Sequence, residues 1–387
     1  MRRGALALAL GLPAAVGCAG LIGADFDAHP LAVVAEAGVE AAPPADVVVT
    51  CNHAEVPPNK AQGQGLGGTQ DMWFAIYSVD YGDGNGDPDA ATYASIGYDL
   101  DRVCTALGDP PVCVQAKHAP KDGVGGRDNA TGELLFEIKS TFQIIADPIG
   151  SKQDTAALQS GGYTIIFHVT GYNGLPDDDQ VRFEWYLPAP FGSDSDAAPR
   201  PPPVWMGGDR WPIRTQDSLP DGGLAPIVAD DNAYVAGNVV VASLPRGTRI
   251  TGGSIDFDLS GVFVTATLDK TAQGTAMSAG TLAGTWGQGQ VLGGMGKLFE
   301  SVGKCTDFPL YQNLKSIVCG ALDVSASGVP LPTQPCDALS IGVAFTAKPI
   351  LAPTTTVDVG LPTTKCPPAT DPMNDACLRD SGATIGD

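Results

Sequence analysis

The chain has 387 residues, of which 43% are hydrophobic and 17% charged, and acidic residues outnumber basic ones by 43 to 22. Its formal net charge of −21 argues against a nucleic-acid partner, because an acidic surface repels phosphates instead of releasing their counterions. The length and composition allow one large hydrophobic core or two ordinary ones.

The N-terminus has the pattern of an export signal. Two arginines precede an apolar segment, residues 4–16, that is too short to span a bilayer. The next residues, Gly17-Cys18, resemble a bacterial lipobox, in which the cysteine is diacylated and becomes the new N-terminus. The resemblance implies a signal peptide over residues 1–17, a lipid on Cys18 and, because Ala19 follows, sorting to the outer membrane or cell surface. The alternative is an ordinary signal-peptidase cut after Ala19.

A low-complexity segment follows the lipidation site. Residues 18–46 consist largely of Ala, Val, Gly and Pro, with five acidic residues and no Lys or Arg. Because this composition lacks hydrophobic periodicity, it predicts a disordered tether. Such a tether would hold a folded domain clear of a membrane surface.

The first strand-like segment, residues 71–81 (DMWFAIYSVDY), leads directly into an acidic loop. Oxygen ligands at alternate positions, separated by glycines that let the backbone curl, are how a short loop surrounds Ca²⁺. The EF-hand template is not met, because Pro88 occupies the position of its glycine, so the predicted site is of the irregular extracellular kind. The alternative is a polar turn in which Asp, Asn and Gly are only turn residues. The predicted calcium ligands are Asp83, Asn85, Asp87 and Asp89, completed by Asp99 and Asp101.

Eight cysteines remain beyond Cys18, an even number that fits up to four disulfides in an exported protein. No Cys-x-x-Cys motif or Cys/His cluster indicates zinc. Many pairings of eight cysteines are conceivable, and the sequence alone does not choose among them. Proximity along the chain favours Cys104–Cys113, Cys305–Cys319 and Cys366–Cys377, which leaves Cys51–Cys336 as the fourth pair.

Three segments have apolar residues at helical periodicity. Residues 127–145 carry apolar side chains every three or four positions, which predicts an amphipathic helix capped by Asp128 or Asn129. Similar spacing predicts helices over residues 291–302 and 310–322. These helices are expected to pack on a β-sheet.

Residues 161–187 carry the clearest strand pattern, a hairpin in which apolar and polar side chains alternate. Phe167 and Trp185 belong to its apolar face, and His168 and Glu184 to the opposite face. If the two strands pair in register, His168 faces Glu184 and could act with it. The alternative is a histidine on a solvated strand face.

A Pro-rich segment, residues 188–226, follows the hairpin and contains Trp205 and Trp211. The two tryptophans either attach the segment to the core or form an exposed platform for a sugar ring. Strands resume over residues 238–244 and 254–268, and the alternation changes phase at Gly261, which predicts a bulge or tight turn there. Two later strands are predicted over residues 281–286 and 338–346.

These segments predict a mainly β fold, an antiparallel β-sandwich of jelly-roll type with one to three packed α-helices. We expect one large domain over residues 47–350. The alternative is two β domains, residues 47–187 and 233–350, joined by the Pro-rich segment. Residues 351–387 are expected to form an irregular tail that carries a disulfide.

Five short motifs give the chain a family resemblance: DGNGDP, IGYDLDRVCT, TGYNG with DDDQV, LKSIVCGALDV and CDALSIGVAFTA. It resembles a group of exported lipoproteins of Gram-negative soil bacteria, and the resemblance covers most of the mature chain. This resemblance implies export and lipid anchoring. It implies no activity, because no activity is known for the group.

The sequence therefore predicts a lipid-anchored envelope or surface protein with a binding or structural role, stabilised by Ca²⁺. Its expected partners are the membrane, through the lipid, and a glycan or an envelope protein. No GxSxG, HExxH or P-loop motif is present, so no catalytic residue is predicted. The alternative is a secreted polysaccharide-active hydrolase or lyase on the same sandwich, in which Glu184 and either Asp256 or Asp258 would be the paired carboxylates.

Overall fold

The computed structural model describes residues 51–54, 59–60, 67–116, 119–141, 149–195, 200–215, 226–244, 248–252, 255–359 and 366–377. The predicted signal peptide, the lipidation site Cys18 and the tether lie outside the described residues. The predictions for the N-terminus therefore stay predictions.

Most regular structure in the described part of the chain is β. The strands are β1 (Gln70–Asp80), β2 (Cys113–Val114), β3 (Ile166–Tyr172), β4 (Asp178–Tyr186), β5 (Ile213–Arg214), β6 (Val228–Ala236), β7 (Val239–Leu244), β8 (Thr248–Gly252), β9 (Ile255–Thr271), β10 (Gly274–Gly287), β11 (Leu331–Pro335), β12 (Ala338–Ile350) and β13 (Thr356–Val357). The α-helices are α1 (Ala130–Thr141), α2 (Ser151–Gln159), α3 (Gln288–Ser301) and α4 (Pro309–Gly320). Single 3₁₀ turns occupy Gly84–Gly86, Tyr93–Ser95, Thr105–Leu107, Pro368–Thr370 and Pro372–Asn374.

Eight of the strands close into an antiparallel barrel. Their order is β1, β3, β4, β6, β7, β9, β10 and β12, and β12 pairs back onto β1 to complete the ring. β8 pairs with the part of β9 that extends beyond β7. The predicted jelly-roll sandwich is therefore wrong, because a closed ladder replaces two packed sheets with free edges. Alternating side chains look the same in both architectures, and the closing pair, Trp73 with Ile350, joins residues from opposite ends of the domain.

The strand phase predicted for the hairpin is confirmed. β3 and β4 pair in register, with Phe167 opposite Trp185 and His168 opposite Glu184. Phe167 and Trp185 are fully buried in the main core. One face of the hairpin thus belongs to the barrel interior, and the other faces outwards.

The predicted slip at Gly261 is also confirmed. The register between β9 and β10 shifts at this point, and Gly261 has a φ of +58°, in the left-handed region that favours glycine. Helices α3 and α4 lie close to their predicted ranges. The described residues contain four helices instead of one to three, because the sequence pattern missed α2, a short helix that packs on β1.

The Pro-rich segment covers part of the outer face of the barrel. Trp211 is fully buried in a second cluster with Ile166 and Tyr186 of the hairpin. Trp205 packs against this cluster, and its indole N–H donates to the Gln159 carbonyl at 3.0 Å. Trp211 therefore attaches the segment to the barrel and is no exposed platform for a sugar.

The cysteines pair differently from the pattern that proximity favours. All four of the pairs Cys104–Cys113, Cys305–Cys319, Cys366–Cys377 and Cys51–Cys336 are wrong. Cys305 precedes α4 and Cys319 lies near its end, and a helix of this length keeps its ends roughly 18 Å apart, too far for a disulfide. The structure instead joins segments that are distant in sequence: Cys51–Cys104, Cys113–Cys336, Cys305–Cys366 and Cys319–Cys377.

Candidate functional site

The predicted calcium loop already holds a positive charge supplied by the chain. Asp83 is only 1% exposed, and its carboxylate lies 2.7 Å from the Lys139 ammonium of α1. Lys139 also donates to the Asn85 side chain at 3.2 Å, and the Ser151 hydroxyl donates to Asp83 at 2.7 Å. Burial opposes ionisation of Asp83, but the hydrogen bonds from Lys139 and Ser151 outweigh it and lower the pKa of the carboxyl.

The other two predicted ligands of this loop point to solvent. Asp87 and Asp89 are exposed, and the Asp87 carboxylate accepts a hydrogen bond from the Asp89 backbone N–H at 3.0 Å. This is the geometry of a residue that stabilises its own turn. The loop as a whole fits the alternative interpretation, a polar turn fixed by Lys139.

A second acidic cluster brings together the remaining predicted ligands. Asp99 and Asp101 lie with Asp128 so that one carboxylate oxygen from each is within 4.8 Å of the others. Asp128 is 1% exposed and Asp99 is 9% exposed. Each of the three also accepts a backbone N–H from residues 100–103, at 2.6 to 2.9 Å. These hydrogen bonds fix the carboxylates in place.

In this second cluster the pKa values of two carboxyls are raised, whereas the pKa of Asp83 is lowered. Burial, reinforced by repulsion from neighbouring carboxylates, raises the pKa of Asp101 to about 6 and the pKa of Asp128 well above its ordinary value. Burial also raises the pKa of the nearby Asp122. The imidazole of His53 also contacts the Asp99 carboxylate, through Nδ1. Three converging carboxylates in partly desolvated surroundings are the donor set of a hard divalent cation such as Ca²⁺.

Thiolate coordination does not fit this place. Cys51 and Cys104 lie beside His53 and Asp99, at distances that would suit a metal, but they are bonded to each other. A disulfide offers no thiolate, so the oxygen donors remain as the chemically suitable set. The donor atoms thus favour calcium over zinc.

Sequence reasoning named two of the three carboxylates in the cluster. For Asp128 the sequence indicates only a capping role, and the structure gives that role to its neighbour: Asn129 accepts the Gly132 N–H at 3.1 Å. The cap frees Asp128 to face the loop that carries Asp99 and Asp101. The spacing of alternate acids along one loop could not reveal a ligand contributed by another element.

The polar face of the hairpin holds a different network. Trp73, His168 and Glu184 form a row across three neighbouring strands, β1, β3 and β4. His168 Nδ1 lies 2.6 Å from Glu184 and Nε2 lies 2.9 Å from Asp71. The Trp73 ring stacks on the imidazole at a centroid distance of 3.7 Å. His168 is buried and lies against Glu184, so the interpretation as a histidine on a solvated strand face is wrong.

Glu184 is held as an ionised acceptor. Arg182 Nε donates to it at 2.7 Å and the Tyr186 hydroxyl at 2.9 Å. Burial opposes its ionisation, but the hydrogen bonds from His168, Arg182 and Tyr186 outweigh it and lower its pKa to about 2. A glycosidase acid needs the opposite shift. The network therefore suits a structural role better than proton donation.

The carboxylate pair of the hydrolase alternative is not brought together. Asp258 is exposed on β9, and β6 and β7 separate that strand from β4, which carries Glu184. The Asp256 side chain lies outside the described residues. A catalytic pair of Glu184 and Asp258 is therefore not supported.

No family model, curated protein or solved structure matches this chain. None of the helices in the described part of the chain has the length and apolar character needed to cross a membrane. The resemblance to exported lipoproteins therefore stays a prediction.

Proposed function

We propose that the protein is an exported, lipid-anchored envelope or surface protein with a binding or structural role, whose barrel is stabilised by Ca²⁺ held between Asp99, Asp101 and Asp128. Export is supported by the signal-like N-terminus, by Cys18 in its lipobox-like setting, and by four disulfides among the described residues. The acidic surface charge suits an extracellular protein that acts in the presence of calcium.

The convergence of the three carboxylates carries the calcium proposal. Like charges at this separation repel, and burial strengthens the repulsion, so the folded chain gains when a divalent cation neutralises them. A ligand that binds only the folded state adds RT ln(1 + [Ca²⁺]/Kd), about 1.4 kcal/mol at a tenfold excess over Kd. The irregular ligand set is typical of extracellular sites with a Kd of roughly 0.1 to 1 mM.

An ion in this position would tie three parts of the fold together. Asp99 and Asp101 belong to a loop that the Cys51–Cys104 disulfide holds at one side. Asp128 lies two residues before the start of α1, whose first backbone N–H donates to Ser340 of β12 at 2.8 Å. Calcium would therefore stabilise the attachment of the loop and of α1 to the barrel wall.

The calcium proposal is tested by thermal unfolding of chelator-treated protein near pH 7.5. Millimolar Ca²⁺ is expected to raise Tm by several degrees, and Mg²⁺ to raise it less, because Mg²⁺ demands octahedral geometry. Asp101→Asn should abolish most of the rise, whereas the matched control Asp87→Asn, in the neighbouring turn, should keep it. An unchanged Tm in calcium would overturn the proposal.

The anchoring proposal is tested by fractionation of cells that express the full chain. The protein is expected in the membrane fraction, and Cys18→Ser is expected to release it. Mass spectrometry of the mature protein should show a diacylated Cys18. An unmodified N-terminus at Gly20 would contradict lipid anchoring.

A further inference from the structure

An open pocket of about 480 Å³ lies beside Arg182, where β4 passes β6. Its volume is within the range of sites for small ligands, but its lining is polar where most such sites are apolar. Arg182 connects the pocket to the buried network, because it donates to Glu184 on one side and contacts Asp231 on the other. The lining residues are Lys60, Thr170, Gly171, Asp179, Gln180, Val181, Arg182, Asp231 and Asn232.

The strands are irregular at this point. The pairing of β4 with β6 shifts register twice, between Asp178 and Val181 and again between Val181 and Phe183. Both shifts fall on the part of β4 that lines the pocket. β-Bulges remove residues from the ladder and re-aim their side chains, and they occur preferentially beside functional sites. The bulges interrupt the regular ladder along the segment of β4, residues 179–182, that lines the pocket.

Among the described residues, one that lines the pocket carries a buried polar atom without a hydrogen-bond partner. Asp179 Oδ1 is inaccessible to solvent and has no hydrogen-bond partner among the described residues. An unsatisfied buried acceptor costs free energy, and a carboxylate oxygen costs more than a neutral one. A small displacement of the pocket wall that lets a ligand hydroxyl donate to the Asp179 carboxylate would recover this cost.

The charges around the pocket restrict the class of ligand. Lys60 and Arg182 oppose a metal cation, and Asp179 and Asp231 oppose a phosphate or other anion. The two positive and two negative groups balance, so a neutral ligand is favoured. Sugar hydroxyls both donate and accept, and adjacent ones match a guanidinium and a carboxylate that lie side by side, as Arg182 and Asp231 do.

We infer that this pocket binds a neutral saccharide, with Asp179 and Asp231 accepting from its hydroxyl groups and Arg182 and Asn232 donating to them. The inference deepens the proposed function, because it assigns a ligand class to its binding role, and it rests on that role. It is independent of calcium, since the pocket shares no residue with the carboxylate cluster.

The test is saturation-transfer NMR and calorimetric titration of the full chain with soluble oligosaccharides from cellulose, xylan, starch, chitin and peptidoglycan. At least one is expected to bind with a submillimolar Kd. Asp179→Asn and Asn232→Ala are each expected to weaken that binding about tenfold or more, because each removes one partner of a hydroxyl group. The matched control, Asp258→Asn on the exposed face of β9, should leave the Kd unchanged.

Three results would overturn the inference. They are no binding of any oligosaccharide, binding that Asp179→Asn and Asn232→Ala leave unchanged, and binding of inorganic phosphate or a free amino acid in place of the sugars. Titrations in calcium and in chelator separate this inference from the proposed function. A calcium-dependent Tm without saccharide binding overturns only the saccharide inference, whereas saccharide binding without a calcium effect overturns only the calcium proposal.

Discussion

Two acidic regions that lie close together in sequence differ in how the charge of their buried carboxylates is compensated. In the turn around Asp83, a buried carboxylate meets the Lys139 ammonium at 2.7 Å, and its pKa is lowered. In the cluster of Asp99, Asp101 and Asp128, three carboxylates meet one another, and the pKa values of the last two are raised. Acidic loops of similar composition therefore differ in whether the fold supplies the counter-charge.

Helix α1 contributes to both regions. Lys139 lies in its last turn, and Asp128 lies two residues before its first residue. Both placements suit the helix macrodipole, which favours a cation at the C-terminus and an anion at the N-terminus. The same helix thus brings the neutralising charge to one acidic loop and an additional negative charge to the other.

The largest expected effect concerns the region with its own cation. Lys139→Met leaves Asp83 buried without its ion-pair partner, which should cost about 3–5 kcal/mol of unfolding free energy in urea titrations. The double variant Asp83→Asn with Lys139→Met should recover much of the loss, because the buried charge is then removed. The control Lys270→Met, at an exposed position, should change little. Equal losses in the single and double variants would show that the ion pair is not the cause.

The sequence predicted some of this molecule well, for identifiable reasons. Alternation fixed the phase of Phe167 and Trp185, and the break in alternation located the bulge at Gly261, because both are local properties. Barrel closure depends on pairs such as Trp73 with Ile350, which no local pattern reveals. The burial of His168 was missed for the same reason: alternation marks a polar face, and only the tertiary structure shows that the stacked Trp73 ring covers it.

The candidate site was predicted in part. The sequence indicated Asp99 and Asp101, which lie with Asp128 in one cluster, whereas the pattern of alternate oxygens at Asp83 marked a turn that Lys139 neutralises. Lys139 belongs to α1 and Asp128 lies shortly before it, and both are distant from these loops in sequence. The spacing of residues within one loop therefore cannot reveal a ligand or a counter-charge that a second element contributes.

The next largest expected effect on stability is the pH dependence caused by a buried acid outside both regions, Asp323. Asp323 accepts hydrogen bonds from the Ser340 backbone and hydroxyl, and burial raises its pKa from 3.8 to about 7. The folded state holds the Asp323 proton more tightly than the unfolded state does. Protonation of Asp323 therefore stabilises the fold fully below about pH 3.8, and this stabilisation is lost as the pH rises through about 7. The loss should reach a few kcal/mol at most. In chelator, Asp323→Asn should flatten the fall in Tm between pH 5 and pH 8, and an unchanged slope would contradict the assignment.

Glu184 extends the comparison to an acid that has internal partners, like Asp83. Its pKa is lowered from 4.5 to about 2, so its contribution is present above about pH 4.5 and is lost as the pH falls through about 2. Glu184→Gln should therefore cost about 2 kcal/mol at pH 7 and progressively less in acid. The measurement is the difference in unfolding free energy between variant and parent at several pH values. A difference that does not shrink below pH 4 would mean that the ion pairs contribute nothing.

The smallest expected effect is a gain in stability, and it distinguishes the two acidic regions. In chelator near pH 7.5, Asp128→Asn should stabilise the protein by about 1 kcal/mol, because it removes one of three mutually repelling charges and keeps an oxygen to accept the Leu100 N–H. Asp83→Asn should destabilise it, because Lys139 then loses its partner. Urea titrations of both variants against the parent provide the check. Destabilisation by both substitutions would remove the distinction between the two regions.

Calorimetric titration of Ca²⁺ into the chelator-treated full chain tests the central claim most directly, namely that Asp99, Asp101 and Asp128 need a cation from solution while Asp83 does not. We expect one binding event per chain in the parent and in Asp87→Asn, and none in Asp101→Asn or Asp128→Asn. Absence of binding in the parent, or binding that survives in Asp101→Asn and Asp128→Asn but disappears in Asp87→Asn, would contradict it.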